Sequence, residues 1–358
     1  MLVGNSTIAI RNLITWVTFL LVCTPLFSIH GQEIRFSQYQ TVPLLTNPAF
    51  AGTQSDYSLH LNYRLQNIGL LAYRTGYFSF TVPFYDESQD PRHIGGISIG
   101  AINDMAGETG EIRSSGGSLS GAYSLLFDRY GVQSLTFGIQ GEYMLTRIDF
   151  GSLYWPSQIT YYGFDLGRQP TEIVEGRNSL LRFNAGMIWS YNPANNQLKT
   201  ENATKLFAGF AVSNLNRPEQ SYLQNGSYRL PMLYKIHGGA EFQLGRRMSL
   251  APDFMVMMQH GIYQFTVGSL LNIAKDIRTP SNPLVTKLNL FTGVWYRSSD
   301  ALILLVGASN RRFSTAFSYD LNAVPAKAGV HAQGAVELSL AFRFLKEKKP
   351  RKISTPLF

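Results

Sequence analysis

The residues best suited to metal or nucleophilic chemistry are six histidines and one cysteine, and their spacing supports neither. His60, His93, His237, His260 and His331 are scattered along the chain, none spaced as a helical HExxH or a finger-type metal pair. Cys23 stands alone in an N-terminal apolar stretch, which excludes disulfides and cysteine metal clusters from the mature chain. There is no GxSxG nucleophile elbow, no Walker loop and no GxGxxG. The run Gly95-Gly96-Ile97-Ser98-Ile99-Gly100 falls in a strand pattern, where glycine relieves crowding at a bend. The expectation is a protein without catalytic residues, metal or cofactor.

The elements that would position any site are strands. Charged residues make up 15% of the chain, against about 25% in a soluble domain, while aromatic residues reach 13%. From Leu135 to Thr146 one face carries Leu135, Phe137, Ile139, Tyr143 and Leu145, and the other Thr136, Gln140, Glu142 and Thr146. The same two-residue period runs through 57–66, 312–320 and 336–344. Stretches of about 8 to 12 residues match membrane-crossing barrel strands, which need about 9 to 11, better than sandwich strands of about 5 to 6. Fourteen segments qualify: 56–67, 72–82, 94–103, 112–127, 132–147, 178–191, 204–214, 229–243, 247–258, 261–271, 287–298, 301–309, 312–320 and 333–344. The expected fold is all-β, a transmembrane antiparallel barrel of about fourteen strands, an even count as single-chain bacterial barrels have.

With a periplasmic N-terminus, the long connections 148–177, 215–228 and 321–332 face outward, while the long link 272–286 would be periplasmic, against the rule. Lumen-facing Arg64, Glu142, Arg182, Arg312, Glu337 and Arg343 either line a pore or pair across a packed interior, and pairing is favoured. A catalytic barrel with Ser/His or Asp/His at its rim is the enzymatic rival.

Arg11, the apolar run Leu13–Phe27 and small residues up to Gly31 describe a secretory signal over 1–31, too short for a membrane helix. A lipoprotein signal ending at Cys23 fits less well, since Leu21-Val22 lacks small residues before it. The barrel then covers 56–344, followed by a basic tail at 345–358. The net charge of +8 is scattered apart from that tail, which argues against nucleic acid.

Residues 32–55 fit none of this. Two prolines, Pro43 and Pro48, exclude a central strand, yet Phe36, Tyr39, Leu44, Leu45 and Phe50 are too apolar for a free arm. The segment either folds into the barrel as a partial plug or forms a periplasmic contact surface, and the two are compatible. Phe36, Tyr39, Asn47, Pro48, Phe50 and Gly52 are its candidate binding residues.

Phe36-Ser37-Gln38-Tyr39 and Asn47-Pro48-Ala49-Phe50-Ala51-Gly52 resemble the opening of the PorP/SprF family of type IX secretion. Further phrases follow in the family's order: Asn62-Tyr63-Arg64-Leu65-Gln66, Ile99 to Gly107 (IGAINDMAG), Leu135-Thr136-Phe137-Gly138, Gly293-Val294-Trp295-Tyr296-Arg297, Phe317-Ser318-Tyr319-Asp320 and Val336-Glu337-Leu338-Ser339-Leu340. Asn67 departs from the Trp often found there, and Val336 from a usual His. The resemblance implies an outer-membrane barrel partnered by type IX machinery and by the C-terminal region of a secreted adhesin, gliding adhesins included, with outer-membrane lipid around it. It brings no catalytic residues. A diffusion channel or small-molecule transporter, such as a fatty-acid transporter, is the alternative.

Overall fold

The computed structural model describes residues 34–68, 71–86, 92–108, 110–128, 131–149, 156–165, 167–168, 176–193, 204–220, 228–245, 247–279, 282–298, 301–322 and 332–344. The expected signal at 1–31, the tail at 345–358 and His331 lie outside them.

Fourteen strands form one closed antiparallel ring. They are β1 Tyr57–Ile68, β2 Leu71–Asp86, β3 Arg92–Ala106, β4 Ile112–Leu126, β5 Gln133–Ile148, β6 Arg177–Tyr191 and β7 Lys205–Ser213. The second half is β8 Leu233–Gln243, β9 Met248–Gln259, β10 Ile262–Thr279, β11 Asn282–Arg297, β12 Ala301–Ser309, β13 Phe313–Asn322 and β14 Ala332–Phe344. Each strand pairs with its sequence neighbours, and β1 closes on β14 in a register from Tyr57↔Phe344 to Leu65↔Val336. The ring has a terminal end, where Tyr57 and Phe344 meet, and a far end, where β1 leads into β2.

The alternation is inverted relative to a protein in water. On β5, outward Phe137, Ile139 and Tyr143 are 46%, 71% and 51% exposed, whereas inward Thr136, Gln140 and Glu142 are at most 5% exposed. Apolar groups on the outside are stable only when the surrounding solvent is hydrocarbon, with the polar groups satisfied in the lumen. Among the described residues no helix is long and apolar enough to cross a membrane, so crossing falls to the strands.

The link expected at 272–286 differs. It is not a loop but the continuation of β10 and β11, paired as far as Thr279↔Asn282. Neighbouring strands stop earlier, β9 opposite Ile273 and β12 opposite Asn289, so the ribbon extends past the sheet. A ribbon beyond the bilayer needs no apolar face, which is why Lys275, Asp276 and Arg278 hid it from a search for alternation.

Residues 34–53 lie inside the ring as a 3-10 turn Tyr39–Thr41, one α turn Pro43–Thr46 (α1) and a 3-10 turn Pro48–Gly52. Ser37 sits beside Arg297 and Asp320, at the far ends of β11 and β13. Gly52 sits beside Ser124, near the terminal end of β4. The plug therefore runs the lumen from the far end to the terminal end, where β1 begins.

Candidate functional site

The site is the contact between this plug and the barrel wall. Phe36 packs with plug residue Val42 and wall residues Tyr77, Ile102, Met144 and Leu180, an apolar island in a polar lumen. Ser37 and Gln38 donate their backbone N–H groups to the two oxygens of the Glu337 carboxylate, at 2.6 and 3.0 Å. The Ser37 hydroxyl donates to Asp320 and accepts from Arg64 and Arg297. Arg64 pairs with Glu337 and Asp320, and Arg297 pairs with Asp320 at 3.0 Å. Two cations thus face two anions around one serine, and each carboxylate side chain is 1% exposed.

Tyr39 donates to Asp253, which also accepts from Gln40 Nε2 at 2.6 Å and Trp295 Nε1 at 2.7 Å. Burial first, and the Asp253 charge second, push the Tyr39 phenol above its ordinary pKa, so it stays a neutral donor. Thr41 closes a triangle of hydrogen bonds with Asn62 of β1 and Ser339 of β14. The plug thereby bridges the seam between first and last strands at two levels, Arg64↔Glu337 and Asn62↔Ser339.

The second phrase docks on the opposite wall. Asn47 caps the Pro48–Gly52 turn by accepting from Ala49 N, and Pro48 at the first helical position needs no N–H there. The Asn47 amide donates to the carbonyls of Met187 and Phe210 and lies 3.1 Å from His237 Nε2. Phe50 stacks on the His237 ring at 5.5 Å. Wall donors collect carbonyls that the plug's turns leave over: Lys235 to Leu45 of α1 at 2.7 Å, and Ser124 to Gly52 of the Pro48–Gly52 turn at 2.8 Å. Close approach dictates the wall glycines. A Cβ on Gly138 would lie 2.3 Å from Ala49 N, and one on Gly186 2.1 Å from Asn47 Oδ1. Gly96, in the expected bend run, likewise faces the Ala51 carbonyl, so there glycine makes room for the plug.

Of the six candidate residues, Phe36, Tyr39, Asn47, Pro48 and Gly52 are buried against the wall and Phe50 is half-buried. Arg64 with Glu337 and Arg182 with Glu142 are ion pairs across adjacent strands. Arg312 and Arg343 are exposed, with no ion pair among the described residues. Sequence reasoning left Asp253, Asp320, Arg297 and His237 without a role, though two of them lie inside quoted phrases. The late phrase ending in Arg297 and the one ending in Asp320 hold Ser37, and Glu337 and Ser339 of the closing phrase grip Ser37, Gln38 and Thr41. The signal was the co-occurrence of these phrases with FSQY and NPAFAG in one chain.

Beyond the barrel wall, the connection between β5 and β6 carries a small hairpin pairing Ile159 with Phe164. Its tip presents Tyr161 and Tyr162, 96% and 95% exposed.

A ring of fourteen strands, apolar outside and polar inside around a bound N-terminal segment, defines a plugged membrane β-barrel. The chain belongs to the type IX secretion system membrane protein PorP/SprF family, whose model matches residues 28–342. Among solved structures it resembles the Ralstonia pickettii toluene transporter TbuX, at TM-score 0.51 and 11% identity over 85% of this chain and 94% of that one. It also resembles the monoaromatic hydrocarbon channel TodX as a deltaS2 mutant (TM-score 0.48, 10% identity, 85% of this chain and 94% of that one). The KdgM porin matches at TM-score 0.35 and 9% identity, covering 80% of this chain and 99% of that one. At 11% identity the likeness to TbuX is one of fold alone. No curated protein matches the chain.

Proposed function

We propose that this barrel sits in the outer membrane as a non-enzymatic, cargo-specific partner of the type IX machinery. It docks the C-terminal region of an exported adhesin and links it to periplasmic components. The observation that carries this reading is the occupied lumen. The plug follows the barrel from one end to the other and is tied to the wall on opposite sides, at Glu337 and Asp320 and at Met187 and Phe210. A barrel so filled offers its rims, not its bore, to partners. That favours protein docking over the diffusion channel or small-molecule transporter.

Loop lengths orient the ring. Connections at 149–176, 214–232 and 323–331 cluster at the far end, whereas 244–247, 280–281 and 310–312 are short turns at the terminal end. Only 192–204 is long among those at the terminal end. Long loops face the cell exterior in such barrels, so the far end faces out. Tyr161 and Tyr162 then stand on the outer side as amphipathic anchors of the kind that dominate protein interfaces.

The test is surface display. A strain lacking the protein retains its adhesin inside the cell, and a strain carrying Tyr161→Ala with Tyr162→Ala keeps the barrel but displays less adhesin. Normal display in the deletion strain overturns the reading. Recovery of the tagged barrel without adhesin or machinery, together with clear single-channel conductance, replaces it with transport.

A further inference from the structure

The outer wall carries one row of charge. Register pairs Arg74 of β2 with Met105 of β3, Met105 with Arg113 of β4, Arg113 with Arg147 of β5, and Arg147 with Arg177 of β6. Four arginines therefore share one rung across five adjacent strands. All four are exposed, and alternation with inward Thr75, Thr146 and Leu180 sets them on the lipid side. None makes a side-chain hydrogen bond or ion pair with another described residue. Like charges directly opposite across a strand pair are destabilising, and strands lie only about 4.8 Å apart. Arg113, Arg147 and Arg177 form two such pairs in succession. Glu111 and Asp149 stand two residues further out and have partners of their own.

The height of the row identifies what it meets. Below Arg147 the outward face of β5 reads Leu145, Tyr143, Gly141, Ile139, Phe137 and Leu135. At about 3.3 Å per residue and a tilt near 40°, that run spans about 25 Å, the height of a barrel's apolar band. On β6, Leu181 to Trp189 repeats the pattern under Arg177. The rung is inclined by the strand tilt, so height changes by about 3 Å from strand to strand, and Arg113, Arg147 and Arg177 stand together at the outer edge of the hydrocarbon, level with lipid headgroups. At the same rung, neighbouring β1 offers Leu65 and β14 Val336, so the charge is confined to one sector.

We propose that Arg74, Arg113, Arg147 and Arg177 bind the phosphates of a phosphorylated glycolipid in the outer leaflet. Guanidinium groups match phosphate oxygens in paired hydrogen bonds, and neighbouring strands set two of them close enough to bracket one phosphate. An acyl chain of the same lipid then lies along the apolar face beneath. The proposal rests on the outward orientation of the far end and not on adhesin docking, so lipid retention and adhesin display are read separately.

The test uses the purified full-length protein, with diphosphoryl lipid A as the probe and phosphatidylcholine as the neutral comparison, read by native mass spectrometry. The wild type retains lipid A about tenfold or more strongly than the variant combining Arg113→Gln, Arg147→Gln and Arg177→Gln, as loss of several phosphate contacts implies. Phosphatidylcholine is held equally and weakly by both. Equal retention of lipid A by both proteins overturns the site. Should the variant not fold, the wild type is compared on diphosphoryl and dephosphorylated lipid A, and equal retention of the two overturns it as well.

Discussion

Replacing Glu337 by Gln keeps the side chain's shape and removes one charge where plug and closing seam meet. In the native lumen Arg64 and Arg297 face Asp320 and Glu337, so the site is neutral as a group. Glu337→Gln leaves one positive charge uncompensated among side chains no more than 11% exposed. It also turns one of the two oxygens receiving Ser37 and Gln38 into a donor facing a donor. Breaking a buried pair by removing one partner costs about 3–5 kcal/mol, which multiplies the population with the plug released by roughly a thousand. Trypsin cleavage after Arg35, which an open plug exposes, reports that population when release is fast relative to cleavage. The expected result is much faster cleavage of Glu337→Gln with the heat-modifiable barrel band intact. Adding Arg64→Gln restores neutrality and recovers part of the loss. Equal cleavage of wild type and Glu337→Gln, or strictly additive effects in the double variant, refutes the account of the plug's anchorage.

Gly138→Leu puts a side chain where a Cβ alone would stand 2.3 Å from Ala49 N, so the plug is displaced while the outer wall is unchanged. A planar bilayer should then show conductance for the variant and silence for the wild type, and a silent variant counts against a plug seated there. Asn47→Asp sets a carboxylate against the carbonyls of Met187 and Phe210, which now receive a donor. A loss of about 2–4 kcal/mol should lower the temperature of the gel-mobility shift, and an unmoved midpoint contradicts the bonding described. Tyr39 has its folded-state pKa raised by burial and then by Asp253. The unfolded chain therefore loses the proton first, so the contribution is whole below the free phenol's value of about 10 and declines as pH rises above it. Alkaline release of the plug should be steeper in wild type than in Tyr39→Phe; identical profiles remove Tyr39 from the explanation.

Strand count and placement were readable because lipid outside and polar groups inside impose one strict period on every strand. The fourteen expected segments each fall on one strand, and the pairing of Arg64 with Glu337 follows from their lumen-facing positions. What alternation could not supply is partnership over distance. Ser37 meets Glu337 across 300 residues, and nothing local to FSQY states that its serine sits between two arginines and two carboxylates. The apolar character and prolines of 36–53 mark a segment that must be buried outside a sheet, which is what a plug is, but not which wall takes which side chain. Asp253, next to Pro252 in the sequence, reads as an unremarkable charge until Tyr39 is placed beside it. The row of four outward arginines escaped for the same reason. Each is an isolated strand-end charge in sequence, and only the register sets them side by side.

The plug's passage along the closed ring also dictates an order of assembly. A hydrogen-bonded ring leaves no gap through which a folded, anchored segment can be inserted from the side, so the first stretch of the barrel domain to be made must wait for the last. Residues 37–41 hold β1 with one set of bonds and β13 and β14 with another, in the manner of a mandrel on which a tube is closed. Until β14 arrives, Glu337 and Ser339 are missing from that mandrel and β1 remains an open edge able to pair with strands of other chains. Closure is then the slow, long-range step of folding, and damage to the plug should slow it and lower the yield of finished barrels, on top of the plug release seen in those that close.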